Sequence, residues 1–244
     1  MKDCVLTVAA NEALTKDVYR MVLRGDVSDF TAPGQFLNLR LAGSFLRRPI
    51  SVCDLGEESV TIIYKVVGQG TARMAAMAPG EAISALTGLG NGYDLAPAGE
   101  RPLLIGGGVG VPPMYLLAKR LRAQGREVQA VLGFNRASEI FCEAEFRALG
   151  CAVTVATADG SYGVRGFVTD ALPEDYSYYF CCGPEPMLKA VYRTAKGSGQ
   201  LSFEKRMGCG FGACMGCSCK TITGYKRICK EGPVLRKEEI AWEG

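Results

Sequence analysis

Five of the chain's eleven cysteines fall within 21 residues near the C-terminus: Cys209, Cys214, Cys217, Cys219 and Cys229. The run Cys209-Gly-Phe-Gly-Ala-Cys214-Met-Gly-Cys217 is C-x4-C-x2-C, and Cys229 follows after 11 intervening residues. Thiolates at this spacing form the plant-type ligand pattern of a 2Fe–2S cluster. Three ligands must then come from one tightly curled loop. Gly208, Gly210, Gly212 and Gly216 permit the left-handed backbone such a loop requires. Its amides would face the sulfides and tune their potential. Ser218–Ile222, Thr223-Gly224 and Tyr225–Cys229 read as a hairpin that returns Cys229 to the loop. Two alternatives stand beside this reading. Cys219 lies two residues beyond Cys217, on the same side of an extended chain, and is placed to replace one of the four. A structural zinc site, which four cysteines can equally form, is the other; zinc favours paired C-x2-C knuckles over an x4 spacing with four glycines.

Three further segments have the composition of nucleotide-binding loops. Gly106-Gly107-Gly108-Val-Gly110-Val-Pro112-Pro113 follows an apolar strand and opens a helix, where backbone amides can hold a phosphate. It is not a Rossmann fingerprint, since the third glycine of G-x-G-x-x-G is replaced by Val111 or by Pro113, according to where the motif is started. Cys182-Gly183-Pro184-Glu185-Pro186-Met187 also lies between a strand and a helix. The third segment is Arg48-Pro49-Ile50-Ser51, with Gly68-Gln69-Gly70-Thr71 some way downstream. An arginine fork suits pyrophosphate, and Gly70 and Thr71 would add an amide and a hydroxyl. Taken singly, the first also reads as a Gly-rich turn, and the other two read more readily as a surface arginine and ordinary turns.

The elements that must position these residues change along the chain. Residues 1–98 carry short strand-like runs at Cys4–Ala10, Val18–Leu23, Phe36–Arg40, Ile50–Cys53, Val60–Val67 and Glu81–Ala85, separated by Gly, Pro, Asn and Asp. That is the pattern of an antiparallel barrel or sandwich. From residue 99 strands and helices alternate: Leu103–Ile105 with Pro112–Ala123, Val128–Gly133 with Glu139–Leu149, Ala152–Ala156 with Gly166–Leu172, and Tyr178–Cys181 with Glu185–Lys196. Four such units imply a parallel sheet covered by helices. The expected division is a β-barrel domain over 1–98, an α/β domain over 99–200 and a Cys-rich module over 201–244.

Composition removes whole classes of chemistry. The chain has no histidine, so it cannot build a Ser-His-Asp triad, a His-ligated zinc site or a Rieske centre. A net charge of +3 with no basic run gives no reason to expect nucleic-acid binding. The uncharged run Leu103–Ala118 contains four Gly and two Pro and is not expected to span a membrane. Lys2, Asp3, Glu12, Lys16 and Asp17 interrupt the N-terminus, so no secretory leader is expected there and the cytoplasm is the expected compartment. The remaining cysteines, Cys4, Cys53, Cys142, Cys151, Cys181 and Cys182, read as small apolar residues, not as a disulfide framework.

Taken in order, these residues resemble the ferredoxin reductase family of flavoproteins, with its R-x-x-S, G-G-x-G-x-x-P and C-G-P-x-x-M motifs. The matches are Arg48 and Ser51; Gly107, Gly108, Gly110 and Pro113; and Cys182, Gly183, Pro184 and Met187. The tail from Glu204 through Cys219, together with the linker Gly88–Leu95, is similar to the electron-transfer subunits of B-type dihydroorotate dehydrogenases. The resemblance covers essentially the whole chain and implies a ferredoxin reductase-like fold. By that resemblance Arg48, Pro49, Ile50, Ser51, Ile63, Tyr64, Lys65, Gly70 and Thr71 would hold FAD. Gly106, Gly107, Gly108, Gly110 and the Cys182–Met187 loop would flank NAD. Cys209, Cys214, Cys217 and Cys229 would carry the 2Fe–2S cluster, and no side chain would serve as a catalytic acid or base. Hydride transfer to a flavin needs proximity and orientation, so the missing histidine is no obstacle.

The resemblance further implies an FMN-containing catalytic partner subunit in a two-plus-two heterotetramer, acting in pyrimidine biosynthesis. These modules leave no room for a TIM barrel of about 250 residues to oxidise dihydroorotate. Two alternatives remain at this point. One is the small flavin and iron–sulfur subunit of another NAD(P)H-linked enzyme, an NADH-dependent ferredoxin:NADP oxidoreductase or a sulfhydrogenase. The other is a non-enzymatic zinc-binding module.

Overall fold

The computed structural model describes residues 1–242. Six strands open the chain: β1 (Lys2–Ala13), β2 (Val18–Arg24), β3 (Phe36–Arg40), β4 (Arg48–Leu55), β5 (Ser59–Lys65) and, after the helix α1 (Gln69–Ala75), β6 (Ala82–Leu89). They close into an antiparallel barrel in the order β1-β2-β5-β4-β3-β6. The strands are two-faced, as side-chain alternation requires. Leu6, Val8, Met21, Leu23, Leu37, Leu39, Val52, Val60, Ile62, Ile83 and Ala85 fill the barrel. Outward-facing residues are also apolar where the next domain docks. Cys53 and Ile63 pack with Leu104, Met114 and Leu132 of that domain, and Phe36, Leu86 and Leu89 with its Ile105, Tyr179 and Leu201.

The second half alternates β7 (Leu103–Gly107), α2 (Val111–Ala123), β8 (Gln129–Phe134), α3 (Glu143–Ala148), β9 (Ala152–Thr157), β10 (Val164–Arg165), β11 (Tyr179–Cys182), α4 (Glu185–Thr194) and β12 (Gly199–Ser202). β7 is buried along its length, as a central parallel strand must be. The sheet order is β10-β9-β8-β7-β11-β12, all parallel. Chain order therefore reverses between β7 and β11, a topological switch point.

Two expected helices contract. The Glu139–Leu149 segment yields only α3, because Cys142 turns into the left-handed region at φ 65° immediately before it. Gly166–Leu172 yields a single 3-10 turn, Val168–Ala171, in which the Asp170 carboxylate accepts the Phe167 amide at 2.7 Å. The spacing also gives no sign of α1, whose segment reads as a glycine-rich turn.

The C-terminal residues form a hairpin, β13 (Ser218–Thr221) and β14 (Gly224–Arg227), and then β15 (Val234–Arg236). β15 adds to the free edge of β12 in antiparallel register, so this segment is stitched into the α/β sheet. Cys217, Ile228, Cys229 and Leu235 share one apolar core with barrel and sheet residues. Asn91, on the linker after β6, holds this arrangement. Its side chain donates to the Val234 carbonyl at 2.8 Å and the Glu231 carbonyl at 3.3 Å, and accepts the Val234 amide at 3.1 Å. No helix among the described residues is long and apolar enough to cross a membrane.

Asn91→Ala is expected to cost about 2 kcal/mol in denaturant unfolding of the loaded chain, since three bonds to an otherwise unpaired backbone are lost. A midpoint within error of the parent would contradict that role.

Candidate functional site

The cysteine loop is shaped by backbone conformation. Gly210 (φ 82°), Gly212 (φ 95°) and Met215 (φ 60°) turn it in the left-handed region. The turns aim amides inward: Ala213 and Cys214 donate to the Cys209 sulfur at 3.2 and 3.4 Å, and Cys229 donates to the Cys217 sulfur at 3.4 Å. Burial opposes ionisation of Cys209, but the amides of Cys214, Phe211 and Ala213 and the Cys214 thiol outweigh it and bring the thiol down to about 6. Cys229 is pushed up to about 12 by burial and by the neighbouring Cys217 thiol. A thiolate there needs a cation beside it.

The four thiols therefore stand as two pairs, Cys209 with Cys214 and Cys217 with Cys229. A two-iron cluster takes two thiolates at each iron, whereas zinc needs four donors on one centre. The paired donors, with backbone amides aimed at Cys209 and Cys217, fit a 2Fe–2S cluster better than zinc. Cys219 packs against the same core and has Lys205 and Glu185 as its charged neighbours. Arg227 ties the loop to the hairpin, donating to the Gly212 carbonyl at 2.8 Å while paired with Glu231.

The two glycine loops meet at the carboxyl ends of β7 and β11, where Gly106 pairs with Cys182. A Cβ at Gly107 would overlap the Met187 sulfur, and one at Gly110 would overlap the Cys182 carbonyl. A Cβ at Gly183 would lie 2.5 Å from the Met187 Cε. Backbone contact thus requires glycine at Gly110, while Gly107 and Gly183 make room for Met187, across the crevice that a dinucleotide crossing the switch point would occupy. One expectation needs correcting. Pro112 and Pro113 occupy the first turn of α2 and lack N–H groups, and the Val111 amide already bonds to the Gly108 carbonyl. The helix start offers an anion little, so the donors are those of the Gly107–Gly110 turn.

On the barrel, Arg48, Pro49, Ile50 and Ser51 open β4, with Pro49 opposite Asn38 and Ser51 opposite Phe36. The Arg48 side chain donates to the Leu46 carbonyl at 2.6 Å and lies flat against Gly70, where any Cβ would strike it. Arg48 and Gly70 thus come together as the motif reading expects. Thr71 does not supply a free hydroxyl: its Oγ1 accepts the Val67 and Gly68 amides at 2.9 and 3.3 Å, closing the start of α1. What remains for an anion is the backbone of Gly70 and Thr71.

β5 needs a second correction. Ile63 faces the α/β domain, but Tyr64 points into the barrel, donating to Asn11 at 3.1 Å and stacking on Tyr19 at 6.0 Å. Lys65 pairs with Asp17 at 3.1 Å. Strand alternation puts Ile63 and Lys65 on the outer face, with Lys65 engaged by Asp17, while Tyr64 can offer only backbone. Ile50 likewise packs against the barrel core.

Sequence reasoning passed over two residues. Asn38 is 1% exposed and reaches the Cys209 carbonyl from β3. A polar residue between Leu37 and Leu39 reads as an ordinary solvent-facing position. Arg227 reads as one cation among many, and only the fold brings it to the loop.

Barrel, switch-point crevice and paired thiolates define a ferredoxin reductase-like, NAD-linked oxidoreductase that carries an iron–sulfur module. Residues 104–193 match the oxidoreductase NAD-binding domain, and residues 204–241 match the iron-sulfur cluster binding domain of dihydroorotate dehydrogenase B. The dihydroorotate dehydrogenase B (NAD(+)) electron transfer subunit of Bacillus pumilus is 43% identical over 256 residues, covering 99% of each chain. That of Bacillus velezensis is 44% identical, covering 99% of this chain and all of its own. A structure of NADH-dependent reduced ferredoxin-NADP oxidoreductase superposes with a TM-score of 0.89 at 29% identity, covering 98% of this chain and 90% of that one. The chain belongs to the family of dihydroorotate dehydrogenase B (NAD(+)) electron transfer subunits, and its cofactors are FAD, a 2Fe–2S cluster and NAD.

Arg48→Ala is expected to weaken FAD retention about tenfold or more, with Arg48→Lys intermediate because a point charge replaces a fork. Flavin release on dilution measures it, and unchanged retention would remove Arg48 from the site. Gly110→Ala should raise the NADH KM about tenfold without loss of flavin or iron, as its Cβ closes the crevice. Steady-state flavin reduction decides the matter, and an unaltered KM would count against it.

Proposed function

We propose that the chain relays electrons between NAD and the FMN of a catalytic partner subunit, through its own FAD and 2Fe–2S cluster, in the dihydroorotate oxidation step of pyrimidine biosynthesis. When bound, these groups convert a two-electron hydride into single electrons. The protein's work is to hold them in order. Segment 1–98 binds FAD through Arg48, the Gly70–Thr71 backbone and the outward face at Ser51 and Ile63. Segment 99–200 binds NAD between the Gly106–Gly110 and Cys182–Met187 turns. Segment 201–244 carries the cluster on Cys209, Cys214, Cys217 and Cys229. No side chain is needed as a proton donor.

The observation that supports this order best is the shared core in which Phe36 of the barrel, Ile105 of the sheet and Cys217 of the cysteine segment pack together. All three sites are thereby fixed to one rigid centre. The identity of 43–44% to electron transfer subunits of dihydroorotate dehydrogenase B, against 29% to the ferredoxin-NADP enzyme, disfavours the alternative partners. Cys214 is exposed, and so are Phe211 and Met215 beside it. We place the FMN partner against this face, in a two-plus-two assembly. The eleven free thiols suit the reducing cytoplasm.

The chain alone should bleach its flavin with NADH yet leave dihydroorotate untouched. Adding an FMN-containing dihydroorotate dehydrogenase catalytic subunit should restore dihydroorotate-dependent reduction of NAD. Turnover of dihydroorotate by the chain alone would overturn the proposal.

A further inference from the structure

Asn38 lies on β3, between the β4 strand of the flavin motif and the cysteine loop. Its neighbours Leu37 and Leu39 are fully buried inside the barrel, so Asn38 takes the opposite parity and faces outward. On that face it pairs with Pro49 of the Arg48–Ser51 motif on one side and with Leu86 of β6 on the other. The position is nevertheless buried, because the cysteine loop covers it. The Asn38 Nδ2 donates to the Cys209 carbonyl at 3.4 Å, across 171 residues of sequence. Gly210, at φ 82°, lies directly on the same amide, and a Cβ there would overlap the Asn38 nitrogen. The Asn38 Oδ1 is buried and has no hydrogen-bond partner.

Unpartnered buried acceptors are costly, and an apolar residue of similar shape would avoid the cost. A barrel needs no polar group at this position, because its interior closes through Leu37 and Leu39. The amide is explained by what it does outside the barrel.

We propose that Asn38 is a positioning residue for electron transfer, pinning the first cluster cysteine to β3, the strand paired with the one that carries the flavin motif. Electron transfer falls steeply with separation, so a tether between these two backbones sets the rate of the internal step. The inference rests on the flavin and cluster reading above. Asn38 touches neither group's reacting atoms in this account. It acts through the Cys209 carbonyl and through Gly210, whose missing side chain lets the loop settle on the amide.

The test uses the full chain loaded with FAD and cluster, comparing the parent with Asn38→Leu and Asn38→Asp. Asn38→Leu keeps the approximate volume and removes the orphaned acceptor together with the bond to the Cys209 carbonyl, so its Tm should stay close to that of the parent. Its flavin should bleach with NADH at the parental rate. Cluster reduction, followed by freeze-quench electron paramagnetic resonance, should slow about tenfold or more. Hydrogen exchange at residues 209–214 should quicken by a similar factor. Asn38→Asp replaces the donor by an acceptor facing the Cys209 carbonyl; it should show the same slowing and lower the cluster potential. This variant carries the test if Asn38→Leu fails to fold. Parental cluster reduction and exchange in the variants would overturn the proposal, as would a loss of flavin binding and flavin bleaching to the same degree. A parent whose cluster is never reduced by NADH would instead refute the underlying relay, and the two failures are thereby distinguished.

Discussion

The structure depends on barrel strands that are apolar on both faces. Inward residues such as Leu37, Val52 and Ile62 make the barrel, as in any antiparallel closure. The outward set, Phe36, Cys53, Ile63, Leu86 and Leu89, would be a liability in an isolated barrel. Here it is the surface on which the α/β domain and the cysteine segment settle. Polar ties then fix the register of the junction. Tyr93 donates to the Cys181 carbonyl at 2.9 Å, Gln200 exchanges two bonds with the Asp94 backbone, and Lys119 pairs with Asp54 at 2.8 Å. A relay between sites on different domains needs such a junction, because flexible domains would not keep a fixed separation.

The cysteine loop shows how chemistry is stored in backbone. Left-handed turns at Gly210, Gly212 and Met215 direct amides toward Cys209, which lowers the cost of its thiolate before any metal arrives. Cys217 and Cys229 lie deep in the shared core, and burial makes a thiolate at Cys229 unfavourable without a cation. The loop is thus graded from an exposed edge at Cys214 to a buried one. That gradient suits a centre that exchanges electrons with an outside partner on one side and with the chain's interior on the other.

Much of this was legible in the sequence because local rules govern it. The six barrel strands follow from period-two alternation between turn residues, and β7 and α2 from an apolar run ended by Gly and restarted at Pro. The C-x4-C-x2-C spacing identified the cluster loop directly. What stayed hidden was non-local. β15 has only three residues, Val234–Arg236, and owes its existence to the free edge of β12. The inward turn of Tyr64 follows the parity it shares with Val60 and Ile62, which becomes inward only when the barrel closes. The capping role of the Thr71 hydroxyl depends on α1, a helix too short to leave a periodic signal. Asn38 carries no motif at all, and its significance comes from a loop 171 residues away.

The central claim is that NAD, flavin and cluster form one electrically connected path within this chain. An anaerobic NADH titration of the purified full chain, followed by electron paramagnetic resonance at cryogenic temperature, tests it most directly. The account predicts that the signal of a reduced 2Fe–2S cluster grows as NADH is added. Consumption of NADH with no cluster signal in an iron-loaded chain would contradict it.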